Sequence, residues 1–196
     1  NTVNAEIVVG GNVRPNSIAT SQTTSLVTTT VDTVATAATT QTGIAIGTDG
    51  LAVIAYKDTT NNYLKVLKCG NESCSSGNTS TNVDTSSNVG SDADLAIGND
   101  GNPVISYRDT TAGSLKVLKC GNPACTSGNI ITTVYDTTNS VGLFSSIAIG
   151  ADGIPVISHL DTDANDLYVT KCGNTACSSG NTNTLVESTN SVGHYS

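Results

Sequence analysis

Residues 95–120, LAIGNDGNPVISYRDTTAGSLKVLKC, decide the fold, because this stretch occurs three times in the chain. Residues 44–69 read IAIGTDGLAVIAYKDTTNNYLKVLKC, and residues 147–172 read IAIGADGIPVISHLDTDANDLYVTKC. Gly47, Gly98 and Gly150 fall at the same place in each copy, as do Cys69, Cys120 and Cys172, with a period of 51 and then 52 residues. A self-similar period near 50 marks a repeat architecture in which each copy is one supersecondary unit.

Every copy divides into four short strands. The first is the apolar run Ile44–Gly47, Leu95–Gly98 or Ile147–Gly150. Asp-Gly turns follow at Thr48–Gly50, Asn99–Gly101 and Ala151–Gly153, where glycine accepts the positive φ that a tight hairpin demands. The second strand is Val53–Tyr56, Val104–Tyr107 or Val156–His159, with Pro103 and Pro155 at its entry, where a missing N–H is tolerated. A polar turn begins at Asp58, Asp109 and Asp161, a position where a carboxylate caps backbone N–H groups. The third strand alternates, so that Leu64 and Val66, or Leu115 and Val117, share a face. The fourth, Thr81–Asp84, Thr132–Asp136 or Thr184–Ser188, is polar and suits an edge. Four antiparallel strands in about 50 residues make one propeller blade.

The expectation is an all-β, β-propeller-like chain: an amino-terminal Thr-rich segment (1–42) and repeats at 43–94, 95–146 and 147–196. Thr28–Asp32 aligns with Thr132–Asp136, and Ile7–Asn12 with the third strand of a repeat, so the amino end reads either as strands of a preceding blade or as a Thr-rich stalk. Val192–Ser196 matches Val141–Ser145 and stops one step before another repeat. Three blades leave a ring unfinished, since propellers take about 4–8. Further repeats, strand exchange between chains or an open stack would complete it. The first residue is Asn1, which suits a processed product or a fragment.

Composition narrows the function. Sixteen acidic against 8 basic residues give a net charge of −8, which repels nucleic acid and anionic membrane surfaces. No apolar run reaches the roughly 18–20 residues of a membrane span, and no signal peptide is visible. Six cysteines form three C-x4-C pairs, Cys69/Cys74, Cys120/Cys125 and Cys172/Cys177. Such regular pairing predicts disulfides and an oxidising, extracellular or cell-surface location. Zinc and free redox thiols are the alternatives; each pair offers two thiolates with no histidine nearby. Asn71 and Asn78 open tripeptides that match glycosylation sequons.

Candidate chemistry is sparse. Asp161, Asp163, Asn165 and Asp166 crowd oxygen ligands in a way that resembles the start of a calcium loop, without its central Gly or distal Glu. Lys57 and Arg108 precede the turn aspartates and read as surface ion-pair partners. His159 takes the place of Tyr56 and Tyr107 and reads as a packing position; His194 takes that of Phe144. No Ser-His-Asp constellation or phosphate-binding loop appears. No cofactor and no enzymatic activity are expected.

The pattern of an Asp-Gly turn, PVISY, LKV and KCGN-x-x-C resembles the tandem repeats of secreted bacterial proteins that are read as β-propeller-like. The Asp-Gly hairpin is also faintly similar to the sialidase Asp-box, but the Trp and Ser/Thr of that box are missing, so that chemistry does not carry over. The resemblance implies an extracellular repeat module and supplies no catalytic residue. The expected role is structural or adhesive, as a filament subunit that self-associates through edge strands or through residues 3–12 or 24–32. The alternative is carbohydrate binding, with surface glycans held at Tyr56 and Tyr107.

Overall fold

The computed structural model describes residues 30–32, 41–136 and 140–188, and within them the three repeats become three separate four-stranded antiparallel sheets. Blade 1 comprises β1 (Gly43–Ile46), β2 (Ala52–Asp58), β3 (Tyr63–Lys68) and β4 (Thr79–Asp84). Blade 2 comprises β5 (Val89–Ile97), β6 (Pro103–Asp109), β7 (Ser114–Lys119) and β8 (Ile130–Tyr135). Blade 3 comprises β9 (Val141–Ile149), β10 (Pro155–Asp161), β11 (Asp166–Lys171) and β12 (Thr182–Glu187). Each sheet is a simple meander, its strands paired in chain order. Among the described residues the sheets stack without closing into a ring.

The Asp-Gly turns form as expected. Gly50, Gly101 and Gly153 sit at φ of 79°, 78° and 75°, and each N–H returns to the carbonyl of Gly47, Gly98 or Gly150 at 2.8–2.9 Å. Lys68, Lys119 and Lys171, from the third strand, clamp the turn carboxylates of Asp49, Asp100 and Asp152 at 2.9, 2.7 and 2.8 Å. The outer corner is closed covalently by Cys69–Cys74, Cys120–Cys125 and Cys172–Cys177, each with Cα atoms 4.8 Å apart; the six cysteines are all bonded, which removes the zinc and free-thiol alternatives.

Two strands differ from the sequence reading. β5 and β9 begin at Val89 and Val141, six residues before Leu95 and Ile147, so they run across the 94/95 and 146/147 repeat limits. The added residues hold Gly90, Asp92, Gly142 and Phe144 at positive φ and shift the register against β6 and β10. These bulges break the alternation by which a strand is recognised. Gly90 and Gly142 are required for a second reason: a Cβ there would stand 2.9 and 3.0 Å from Cα of Leu64 and of Leu115 in the preceding blade.

Blades join by burying apolar faces. Val53, Leu64 and Val66 of blade 1 meet Leu95, Ile105 and Tyr107 of blade 2 in one cluster. Val104, Leu115 and Val117 of blade 2 meet Ile147, Ile157 and Cys172 of blade 3 in the next. A third, smaller cluster lies on the far side of blade 1, where Val31 packs against Tyr56, Leu67 and Cys69. The described helix content is nil, and no helix is long and apolar enough to cross a membrane.

Candidate functional site

The polar chemistry of the molecule is concentrated where blades meet. At the first junction the buried Tyr107 hydroxyl, on β6, donates to Asp84 Oδ2 at the end of β4 (2.7 Å). Lys116 Nζ, on β7, lies 3.5 Å from Asp84 and 3.0 Å from Asp109. Burial raises the Asp84 pKa, but hydrogen bonds from Ser86 and Tyr107 and the Lys116 charge outweigh it and hold the carboxyl below its usual range. Burial and the Asp84 charge push the Tyr107 phenol far above its ordinary value.

The same triad recurs one blade earlier. Asp32 accepts from the Tyr56 hydroxyl and pairs with Lys65 Nζ at 2.7 Å. Val31–Asp32 thus occupies, against blade 1, the place that Val83–Asp84 holds against blade 2. Residues 1–29, and with them most of the stretch read as strands of a preceding blade, lie outside the described residues. The register corrects the alignment by one position. Leu64 pairs with Asp84 and Leu115 with Tyr135, so the equivalent of Asp84 is Tyr135 rather than Asp136.

At the second junction all three members change together. Tyr135, His159 and Tyr168 stand where Asp84, Tyr107 and Lys116 stood, as an aromatic cluster with centroids 5.3–5.9 Å apart. His159 is fully buried. Its Nε2 lies 3.1 Å from Thr170 Oγ1, whose own proton goes to Asn183 Oδ1 at 2.6 Å. That arrangement makes Nε2 the protonated nitrogen and leaves Nδ1 buried without a hydrogen-bond partner. Burial pushes the imidazole down to about 4, against a small opposing pull from Asp161.

A second polar region follows the inner strands. Gln41, Thr42, Ala93, Asp94, Ser145 and Ser146 line a cleft of about 300 Å³ between β1, β5 and β9. Asp94 is committed there to the Ser146 hydroxyl and the Ile147 N–H at 3.1 and 3.0 Å. Burial raises the Asp92 carboxyl nearby, opposed by the Phe144 N–H, Arg108 and Lys57.

The residues singled out in the sequence fall as follows. Asp58, Asp109 and Asp161 each cap two backbone N–H groups of their turn at 2.9–3.3 Å. Asp163 reaches back to accept from the Ser140 N–H, and among the described residues no group of three or more His, Cys, Asp or Glu side chains could hold a metal ion. Lys57 and Arg108 do not pair with their neighbouring aspartates as expected; they tie to the next blade, Lys57 to Asn88 (2.6 Å) and Ser91, Arg108 to Ser140. Tyr56 and Tyr107 are 8% and 0% exposed, which removes both as sugar platforms. His194 lies outside the described residues. The junction triad was missed as a unit; its signal is that Asp gives way to Tyr135 at the end of the second copy while Tyr and Lys give way to His159 and Tyr168 in the third.

No family model matches the chain, and no curated protein matches it. Among solved structures it is similar to a thermostable family-43 glycoside hydrolase, at 14% identity and a TM-score of 0.48, over 75% of this chain and 54% of that one. It is also similar to an alpha-L-arabinofuranosidase from Lactobacillus brevis, at 11% identity and a TM-score of 0.46, over 74% and 52%. The chain therefore spans about half the length of both. These findings correct the expectation that enzymatic activity is excluded: the similar solved chains are enzymes, and the exclusion is withdrawn. The likeness is one of strand architecture, and no residue role is carried across it.

Proposed function

We propose that the protein is a structural or adhesive module of an extracellular or cell-surface assembly, of the secreted repeat kind that its sequence pattern resembles, and that it works by self-association. The observation that supports this is the pair of isoleucines Ile44 and Ile46, 63% and 62% exposed on the outer face of blade 1. Leu95 and Ile147, the counterparts of Ile44, are 5% and 7% exposed, and Ile97 and Ile149, the counterparts of Ile46, are half-buried, because a preceding blade covers them. Exposed apolar side chains on a sheet face invite association. The disulfides suit an oxidising compartment. Negative-stain images of the full chain test the reading: filaments or rings support it, and separate single particles at high concentration overturn it.

A second reading, a carbohydrate-binding module, is favoured by the cleft between β1, β5 and β9, whose Thr42, Ser145 and Ser146 present hydroxyl groups beside Asp94. Retention on a glycan array, lost when Ser146 is replaced by a bulkier residue, supports it. No retained glycan overturns it.

A further inference from the structure

We propose that the two end faces of the blade stack are the two halves of one interface, so that blade 3 of one copy docks on blade 1 of the next. This deepens the self-association reading and rests on it.

The two internal junctions define what each half must contain. The donating face carries Val53, Leu64, Val66 and Val83 in blade 1, and Val104, Leu115, Val117 and Val134 in blade 2; all are between 0% and 9% exposed. Blade 3 repeats that face as Val156, Leu167, Val169 and Val186. There the first three are only half-buried, and Val186 is 54% exposed. The receiving face is built from Leu95, Ile105 and Tyr107, or from Ile147, Ile157 and His159, all at most 7% exposed. Blade 1 repeats it as Ile44, Ile54 and Tyr56, with Ile44 open to solvent.

A cleft of about 200 Å³ on this face is lined by Val31, Asp32, Thr42, Ile54 and Tyr56. The same five positions at the first internal junction, Val83, Asp84, Ala93, Ile105 and Tyr107, are closed. The charges match as well. Blade 3 ends β12 on Glu187, which pairs with Leu167 as Asp84 pairs with Leu64. It therefore brings a carboxylate to the place where Tyr56 and Lys65 now bind Asp32.

A docked blade supplies a four-stranded face to blade 1 and also covers Ile44 and Ile46. In the joined state Glu187 of the partner replaces Asp32 on Tyr56 and Lys65. Such an interface is head-to-tail: it makes rings if the rotation between copies closes and filaments if it does not.

The test uses the full chain and two variants, Ile44→Asp and Val186→Asp, each altering a solvent-exposed side chain on one end only. Circular dichroism and thermal melting establish that both fold. Sedimentation velocity is then followed up to about 1 mM. The expected result is concentration-dependent assembly of the wild type, monomers for each variant alone, and dimers that grow no further when the two variants are mixed, since each retains one intact half. If either variant still dimerises alone, an end face pairs with itself and the head-to-tail interface is overturned. Wild-type assembly that both substitutions leave unchanged overturns the interface but leaves self-association standing. A wild type that stays monomeric throughout overturns both.

Discussion

Tyr107 and Asp84 face each other across the first blade junction, 2.7 Å apart and 0% and 7% exposed, so that a phenol donates to a buried carboxylate between blades 1 and 2. Both the position and the partner are set by the stack rather than by either blade alone. Replacing Tyr107 with Phe keeps the ring and removes the donor. Asp84 retains Ser86 and Lys116, so the loss is one charge-assisted hydrogen bond in a low-dielectric site, worth about 1–3 kcal/mol. Urea unfolding should show a lower midpoint at constant slope. A change below about 0.5 kcal/mol would mean that the pair adds nothing to the junction.

The acid response should be dominated by His159 before the carboxylates act. Burial holds its folded pKa at about 4, below the ordinary imidazole value of 6.5, so between these limits the unfolded chain binds a proton that the folded chain does not. Stability from this group is full above about pH 6.5 and falls towards pH 4, by about 3 kcal/mol in total. Asp84, with its lowered folded pKa, acts later: its contribution is present above the ordinary value of 3.8 and lost as pH falls through the folded one. Asp92 has the opposite sign, since its raised folded pKa adds stability at low pH that is lost on raising it. Urea unfolding of wild type and His159→Gln from about pH 7 to about pH 4 separates these effects. The wild type should lose stability across that range and the variant much less; parallel curves would show that His159 is not the titrating group.

The three disulfides should differ in how readily they are reduced. Cys125 and Cys177 are 0% exposed because the preceding blade lies over each corner, where Thr81 Oγ1 donates to the Ala124 carbonyl at 3.2 Å. Cys74 is half-buried. Limiting reductant followed by alkylation and mass spectrometry should label Cys69 and Cys74 first. Removing that pair should cost roughly 2 kcal/mol, the chain-entropy value for so small a ring, and the other two should cost more because packing is lost with them. Equal labelling of all six cysteines would contradict the covering role of the junction.

Much of this architecture is legible in the sequence because it is local. The Asp-Gly turns, the alternation of Leu64 and Val66 and the C-x4-C corners each act within one repeat. The first six residues of β5 and β9 were hidden, since Gly90 and Asp92 at positive φ interrupt the alternation that identifies a strand. Whether Tyr56 and Tyr107 pack or hold sugar was open in the sequence because their burial comes from residues 24 positions and 23 positions earlier, Asp32 and Asp84, across a junction. Lys57 was misread for the same reason: its partner Asn88 lies in the approach to the next blade.

The second junction offers the sharpest test that the three positions form one unit. Tyr135, His159 and Tyr168 replace Asp84, Tyr107 and Lys116 as a set, and each substitution alone mixes two incompatible solutions. Tyr168→Lys puts an ammonium between two aromatic groups with no Asp84 equivalent to receive it. His159→Tyr adds bulk to a fully buried site and offers a hydroxyl that meets no carboxylate, an overpacking worth about 1–3 kcal/mol. Tyr135→Asp leaves a carboxylate facing an imidazole whose neutral form burial favours. The triple variant rebuilds the triad of the first junction, with Asp161 in the place of Asp109. It should be more stable than the sum of the single changes by about 1–3 kcal/mol, the range of coupling between residues in direct contact. Denaturant unfolding of the three single variants and the triple measures this directly. Strict additivity would mean that the three positions vary independently and that the shared change at the second junction carries no structural meaning.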